Sequence, residues 1–230
     1  MKTTPLHDRF GVVVSGVDLS TTDAAMYADL RALFEAHSAL LFRSQEIDDA
    51  DHMRLARFFG PLEDRNAEDL TGGSDFKVPE VSNIRDDGTT SDAMDLHTLN
   101  LRANMLWHAD STFLPTPALT NILIGRVVTE TGGATELAST RAGWAEMEPA
   151  LQAQLRDAAL WHRYSHSRAR ISPELAKLPM FNKWPDQLWR AVWRNPVTGA
   201  EALYIASHAF AVDGMDPEQG AELIDRALEA

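Results

Sequence analysis

Apolar residues at Met26, Leu30, Leu33 and Phe34 fall at helical spacing. They follow Ser20-Thr21-Thr22-Asp23, whose short polar side chains suit a helix N-terminus. The run Ala39-Leu40-Leu41-Phe42 then predicts a short buried strand. Asp48-Asp49 can cap a second helix, Ala50 to Phe59, which stops at Gly60-Pro61. Residues 64–103 are polar and rich in turn formers, and only Glu80 to Ile84 has a strand pattern. A stretch of this length without regular structure inside a compact domain suggests a mobile lid. Met105–Asp110, Leu119–Val128 and Ala202–Ser207 are strand-like. Ser139 or Thr140 can cap one helix, and Pro149 can start another. Residues 160–200 mix Trp, Arg, His and Pro without a clean period. At the end, Asp216-Pro217-Glu218-Gln219 opens a helix that runs off the chain with no glycine stop, as a truncated chain would.

Composition narrows the field. The 230 residues, 44% of them hydrophobic, suffice for a sizeable core. A net charge of −13 argues against nucleic acid and acidic membrane surfaces as partners. Cysteine is absent, so any metal must be held by His, Asp, Glu or water. No apolar run is long enough for a membrane span, and no apolar signal core follows the N-terminus. A soluble, cytoplasmic protein is the expectation. There is no internal repeat, P-loop, dinucleotide fingerprint or nucleophile elbow.

The chemistry concentrates at Leu106-Trp107-His108-Ala109-Asp110-Ser111-Thr112-Phe113. On a strand, His108 and Asp110 would point to one face and could grip one metal ion, while Trp107 would point away into the core. One more His would complete the 2-His-1-carboxylate triad of non-haem iron oxygenases. The remaining histidines are His7, His37, His52, His97, His162, His166 and His208. His37 and His52 fall in predicted helices and are expected at the surface. His208 is a weak candidate for third ligand. A zinc hydrolase built on His108, Asp110 and His208 is a poorer reading, because nothing resembles its usual base.

Several stretches together resemble the TauD/TfdA family of Fe(II)/2-oxoglutarate-dependent dioxygenases. They are Gly16-Val17-Asp18-Leu19, Ala39 to Gln45, Phe58-Phe59-Gly60-Pro61-Leu62-Glu63, Val81 to Ile84, Asn104 to Phe113, Gly132-Gly133-Ala134-Thr135, Arg141-Ala142-Gly143-Trp144, and the segment from Asn195 to Met215. The resemblance implies a mainly β fold with flanking helices around a double-stranded β-helix (jelly-roll) core, as one dioxygenase domain over residues 1–230. It implies that His108 and Asp110 ligate Fe(II), that Thr135 binds a carboxylate of the co-substrate 2-oxoglutarate, and that Asn104 lies near substrate or co-substrate. O2 is the other reactant. Succinate, CO2 and a hydroxylated product are the expected outcome, and the carboxylate at position 110 favours hydroxylation over halogenation.

The resemblance also implies a second His ligand and a 2-oxoglutarate-binding Arg on late strands. Those strands would follow the helix that ends this sequence, and the chain has no residues there. The sequence therefore looks like a dioxygenase without its last ~50 residues. An inactive chain, prone to associate through uncovered sheet edges, is expected for residues 1–230 alone. The substrate is expected to be small and anionic, aryloxyalkanoate-like or taurine/alkylsulfonate-like. The basic run His162-Arg163-Tyr164-Ser165-His166-Ser167-Arg168-Ala169-Arg170 would either attract it or form a solvated loop. A homo-oligomer is expected, with no nucleic-acid or membrane partner. The alternative is a non-catalytic truncated remnant or binding protein of the same fold.

Overall fold

The computed structural model describes residues 1–73, 75–85 and 87–230. Ser74 and Asp86, both in the stretch expected to be a lid, lie outside the described residues. The chain divides into two compact units. One comprises residues 1–79, 119–142 and 196–199, and the other residues 80–118, 143–195 and 200–230.

In the first unit, β1 (Lys2–Pro5) and β2 (Val12–Ser15) form an antiparallel pair. Gly11, at φ 79°, closes the turn between them, where its carbonyl accepts from the Leu6 amide at 2.9 Å. The chain then crosses through α1 (Ala24–His37) and returns as β3 (Leu40–Phe42), parallel to β2 with Val12 opposite Leu40. Asp23 caps α1 by accepting from the Met26 amide at 2.8 Å, and Asp48 caps α2 (Asp49–Phe59) through the Asp51 amide at 2.8 Å. Val12, Val14, Leu19, Leu30, Ile47 and Leu55 make the core. His52 is buried in it, not at the surface as expected, and its Nε2 pairs with the Ile122 carbonyl at 3.0 Å. A helical face that meets the core is buried whatever residue occupies it, and the carbonyl satisfies the imidazole.

The second unit holds the antiparallel sheet β5-β4-β8, formed by β4 (Ala159–His162), β5 (Gln187–Arg190) and β8 (Ala209–Val212). Leu223, Ile224 and Ala227 of α8 (Pro217–Glu229) pack with Trp144 of α4 (Thr140–Glu146), with Leu151 and Leu155 of α5 (Pro149–Leu155) and with Leu160 of β4. Gly220 lets α8 approach β8: a Cβ there would lie 3.2 Å from the Val212 amide nitrogen. A second cluster joins Leu99 of α3 (Leu96–Ala103) to Leu175 of α7 (Pro173–Ala176) and to Phe181, beside α6 (Tyr164–Ala169). The hairpin of β6 (Val192–Arg194) and β7 (Glu201–Leu203) completes this unit. Among the described residues no helix is long and apolar enough to cross a membrane.

Three expected strands do not form. Residues 105–110 and 119–128 form no strand, and Glu80 to Ile84 contributes only a bridge from Ile84 to Thr90. In 119–128 the period-2 pattern is real: Ile122 and Ile124 pack on the first core, while Leu123 is exposed. An extended segment becomes a strand only when another backbone pairs with it. Residues 96–103, read as part of a loop, are the helix α3, with Leu99 and Ala103 buried. Its eight residues lack any long apolar period, and packing rather than local pattern holds it. The sheets among the described residues have three, three and two strands, and none is a closed jelly-roll sheet.

Candidate metal centre

The site is built where α3 ends. After Ala103 the chain turns through Asn104 and Met105 and enters an irregular segment. Trp107 is anchored by its carbonyl, which accepts from the Ser207 amide at 3.0 Å, and its ring is exposed rather than packed in the core. Ser111 is left-handed, at φ 63°. Ser111, Thr112, Phe113 and Leu114 are then all buried, with the Leu114 amide donating to the Ser111 carbonyl at 2.9 Å. His108 and Asp110 therefore converge through a turn and not through strand alternation.

The pair is nonetheless close. His108 Nε2 lies 3.1 Å from Asp110 Oδ1. Nδ1 of the same ring donates to the Leu106 carbonyl at 2.7 Å, which fixes the ring and turns Nε2 toward the carboxylate. Two donors at right angles, each about 2.1 Å from one ion, stand about 3.0 Å apart. The observed spacing fits adjacent positions on a divalent ion. Both side chains are partly open, at 26% and 39% exposure, so ligands can reach them. The His108 pKa is raised, first by the hydrogen bond to Asp110 and then by the Leu106 carbonyl, against the effect of burial. A metal ion bound here would compete with a proton for Nε2.

The surroundings are aromatic and cationic. Phe113 stacks on Tyr164 with centroids 3.8 Å apart, and His208 meets Phe113 edge-on at 4.9 Å. His208 is buried, its ring centroid is 6.2 Å from that of His108, and its Nδ1 has no hydrogen-bond partner among the described residues. Burial, reinforced by the charges of Arg168 and His108, pushes its pKa far down. Arg168 is buried, and its guanidinium donates to Asn104 Oδ1 at 2.7 Å and to Asn100 Oδ1 at 2.9 Å. Among the described residues no cluster of three or more His, Cys, Asp or Glu side chains is placed to hold a metal ion.

Residues 2–229 match the family described as taurine catabolism dioxygenase TauD, TfdA family. The chain belongs to the TauD/TfdA family. It is 30% identical to (S)-phenoxypropionate/alpha-ketoglutarate-dioxygenase of Sphingobium herbicidovorans, a match covering 98% of this chain and 77% of that protein. It is 29% identical to the alpha-ketoglutarate-dependent 2,4-dichlorophenoxyacetate dioxygenase of Cupriavidus pinatubonensis, over 98% of this chain and 80% of that one. The crystal structure of AAD-2 with Mn(II) and N-oxalylglycine superposes with a TM-score of 0.84 at 27% identity, covering 99% of this chain and 80% of AAD-2. The fold is thus that of TauD-like dioxygenases, consistent with a jelly-roll architecture.

Within this family frame, the residues read from the sequence separate. His108 and Asp110 come together, and Asn104, in the same unit, accepts from Arg168. Thr135 belongs to the other unit, in an exposed stretch after Gly132 and Gly133. The basic run at 162–170 is neither a solvated loop nor a single patch. His162 and Arg168 are buried, whereas Arg163 pairs with Asp186 at 2.5 Å at the surface. Arg168 is a buried cation that the sequence reading did not single out. Its only signal was membership of that basic run, since the helix that buries it has no recognisable period.

Proposed function

We propose that this chain is an Fe(II)- and 2-oxoglutarate-dependent dioxygenase that hydroxylates a small anionic substrate of the aryloxyalkanoate kind. The observation that carries the proposal is the 3.1 Å approach of His108 Nε2 and Asp110 Oδ1, with the imidazole locked from behind by the Leu106 carbonyl. His108 and Asp110 hold the metal. Thr135 binds a 2-oxoglutarate carboxylate, and Asn104 orients Arg168. Arg168 is a buried cation in the same unit as the pair, which supports an anionic substrate. Bound Fe(II) supplies, with 2-oxoglutarate and O2, the oxidising power that converts a substrate C–H to C–OH while releasing succinate and CO2. The names of the relatives favour aryloxyalkanoates, and a further relative, the alpha-ketoglutarate-dependent sulfate ester dioxygenase of Pseudomonas putida, keeps alkyl sulfates in the panel.

The test supplies the native protein with Fe(II), 2-oxoglutarate and O2. It offers phenoxypropionate, 2,4-dichlorophenoxyacetate, an alkyl sulfate and taurine in turn. Succinate formed in step with hydroxylated product is expected with an aryloxyalkanoate and is abolished by His108→Ala. Product formation that does not depend on 2-oxoglutarate would refute the proposal.

A further inference from the structure

We propose that Thr112 is a positioning residue for the Asp110 carboxylate, fixed by two side chains reaching from the β5-β4-β8 sheet. This rests on the reading of Asp110 as a metal ligand. Thr112 is fully buried, two residues beyond Asp110. Its Oγ1 pairs with His162 Nδ1 at 3.0 Å. Its carbonyl accepts from Trp189 Nε1 at 2.7 Å. One bond fixes the Thr112 side-chain rotamer and the other fixes its peptide plane, so little freedom is left at this residue.

The sheet is arranged to deliver both anchors. Leu160 of β4 stands opposite Trp189 of β5, and His162 opposite Gln187. On the other side of β4, the register with β8 shifts between Trp161 and His162. Such irregularities re-aim side chains and recur beside active sites. His162 is fully buried, so its ring is held by packing on every side. Between Thr112 and Asp110 stands Ser111 at φ 63°, a conformation that is strained for a non-glycine residue and persists only where its surroundings over-determine it. The two bonds to Thr112 provide that constraint. Holding Thr112 holds the Ser111 turn, and the turn aims Asp110 Oδ1 at His108 Nε2.

The experiment measures the Mn(II) dissociation constant, the visible spectrum of the Co(II)-loaded protein and the thermal midpoint, all on the native chain. Thr112→Val, which keeps the shape and removes the hydroxyl, should weaken Mn(II) binding about tenfold and change the Co(II) bands. Thr112→Ser should restore both to within about twofold, and Trp189→Phe should weaken Mn(II) several-fold. If a folded Thr112→Val protein binds Mn(II) like the parent with an unchanged Co(II) spectrum, the inference is overturned. Should Thr112→Val not fold, Trp189→Phe decides on the same readings. Asp110→Ala separates this inference from the one beneath it. If it binds Mn(II) like the parent, the metal-centre reading itself fails. If it loses Mn(II) while Thr112→Val keeps it, only the positioning role fails.

Discussion

Residues 111–114 and residues 125–138 both adjoin chemistry assigned to this family, yet they are opposite kinds of chain. The first is buried at every position, with Thr112 and Leu114 fully so, and it is tied to the sheet by the bonds from His162 and Trp189. The second is exposed at every position and includes Val127 and Val128 at 84% and 81% exposure. The metal pair therefore sits on backbone that its neighbours determine, whereas Thr135 sits on backbone that its own glycines shape, Gly132 and Gly133 both having positive φ. Coordination needs donors placed to a few tenths of an ångström, while holding the far end of a flexible co-substrate tolerates more. Under the proposed assignments, the two regions differ as those tasks differ.

The largest effect should come from the packed region. Asp110→Ala removes one of the two donors and should lower turnover by about 10³-fold or more, with little change in folding. Succinate release and the thermal midpoint, measured together, check it. If turnover stays within about tenfold, the contrast between the regions is no longer one of function. A stability pair sharpens the same point. Leu114→Ala, at a fully buried position, should cost about 3 kcal/mol of unfolding free energy. Val128→Ala, at an exposed one, should stay within about 0.5 kcal/mol of the parent. Urea denaturation of both would decide it.

Acid should also act on the packed region first. Burial lowers the His162 pKa from 6.5 to about 4, and burial likewise lowers those of His166 and His208. The unfolded chain binds these protons more readily than the folded one, so stability falls as pH falls from 6.5 toward 4. For His162 alone the loss between pH 7 and pH 5 is about 2 kcal/mol. His108 works in the opposite sense, because its raised pKa favours the folded state at low pH. The variant His162→Asn isolates the effect: the slope of stability against pH between 7 and 5 should become shallower. An unchanged slope would mean that His162 titrates normally in the folded protein.

The helices with explicit punctuation were legible from the sequence. Asp23, Asp48 and Asp216 do cap α1, α2 and α8, because a cap is a local hydrogen bond between neighbours in the chain. The helix α3 was not legible, since its stability comes from Leu99 meeting Leu175 and Phe181, which lie far along the sequence. The residue types of the metal pair were legible, but the reason for their convergence was not. Strand alternation predicted it, whereas the pair lies in an irregular segment that runs into a left-handed Ser111 and a buried Thr112. Arg168 stayed hidden for the same reason as α3: its partners, Asn100 and Asn104, are more than sixty residues away.

The smallest effect belongs to the exposed region. Thr135 offers one hydroxyl on an open loop, so on the proposed reading its loss removes a single hydrogen bond to the co-substrate and disturbs no packing. Such a bond to a charged group contributes about 1.5 kcal/mol. Thr135→Val should therefore raise the KM for 2-oxoglutarate about tenfold, leave kcat within about twofold, and leave both the Mn(II) affinity and the thermal midpoint unchanged. The last two readings carry the comparison. Metal binding that weakened along with 2-oxoglutarate binding would show that the exposed stretch helps to place the metal donors. The distinction between a region that positions the metal and one that only holds the co-substrate would then be lost.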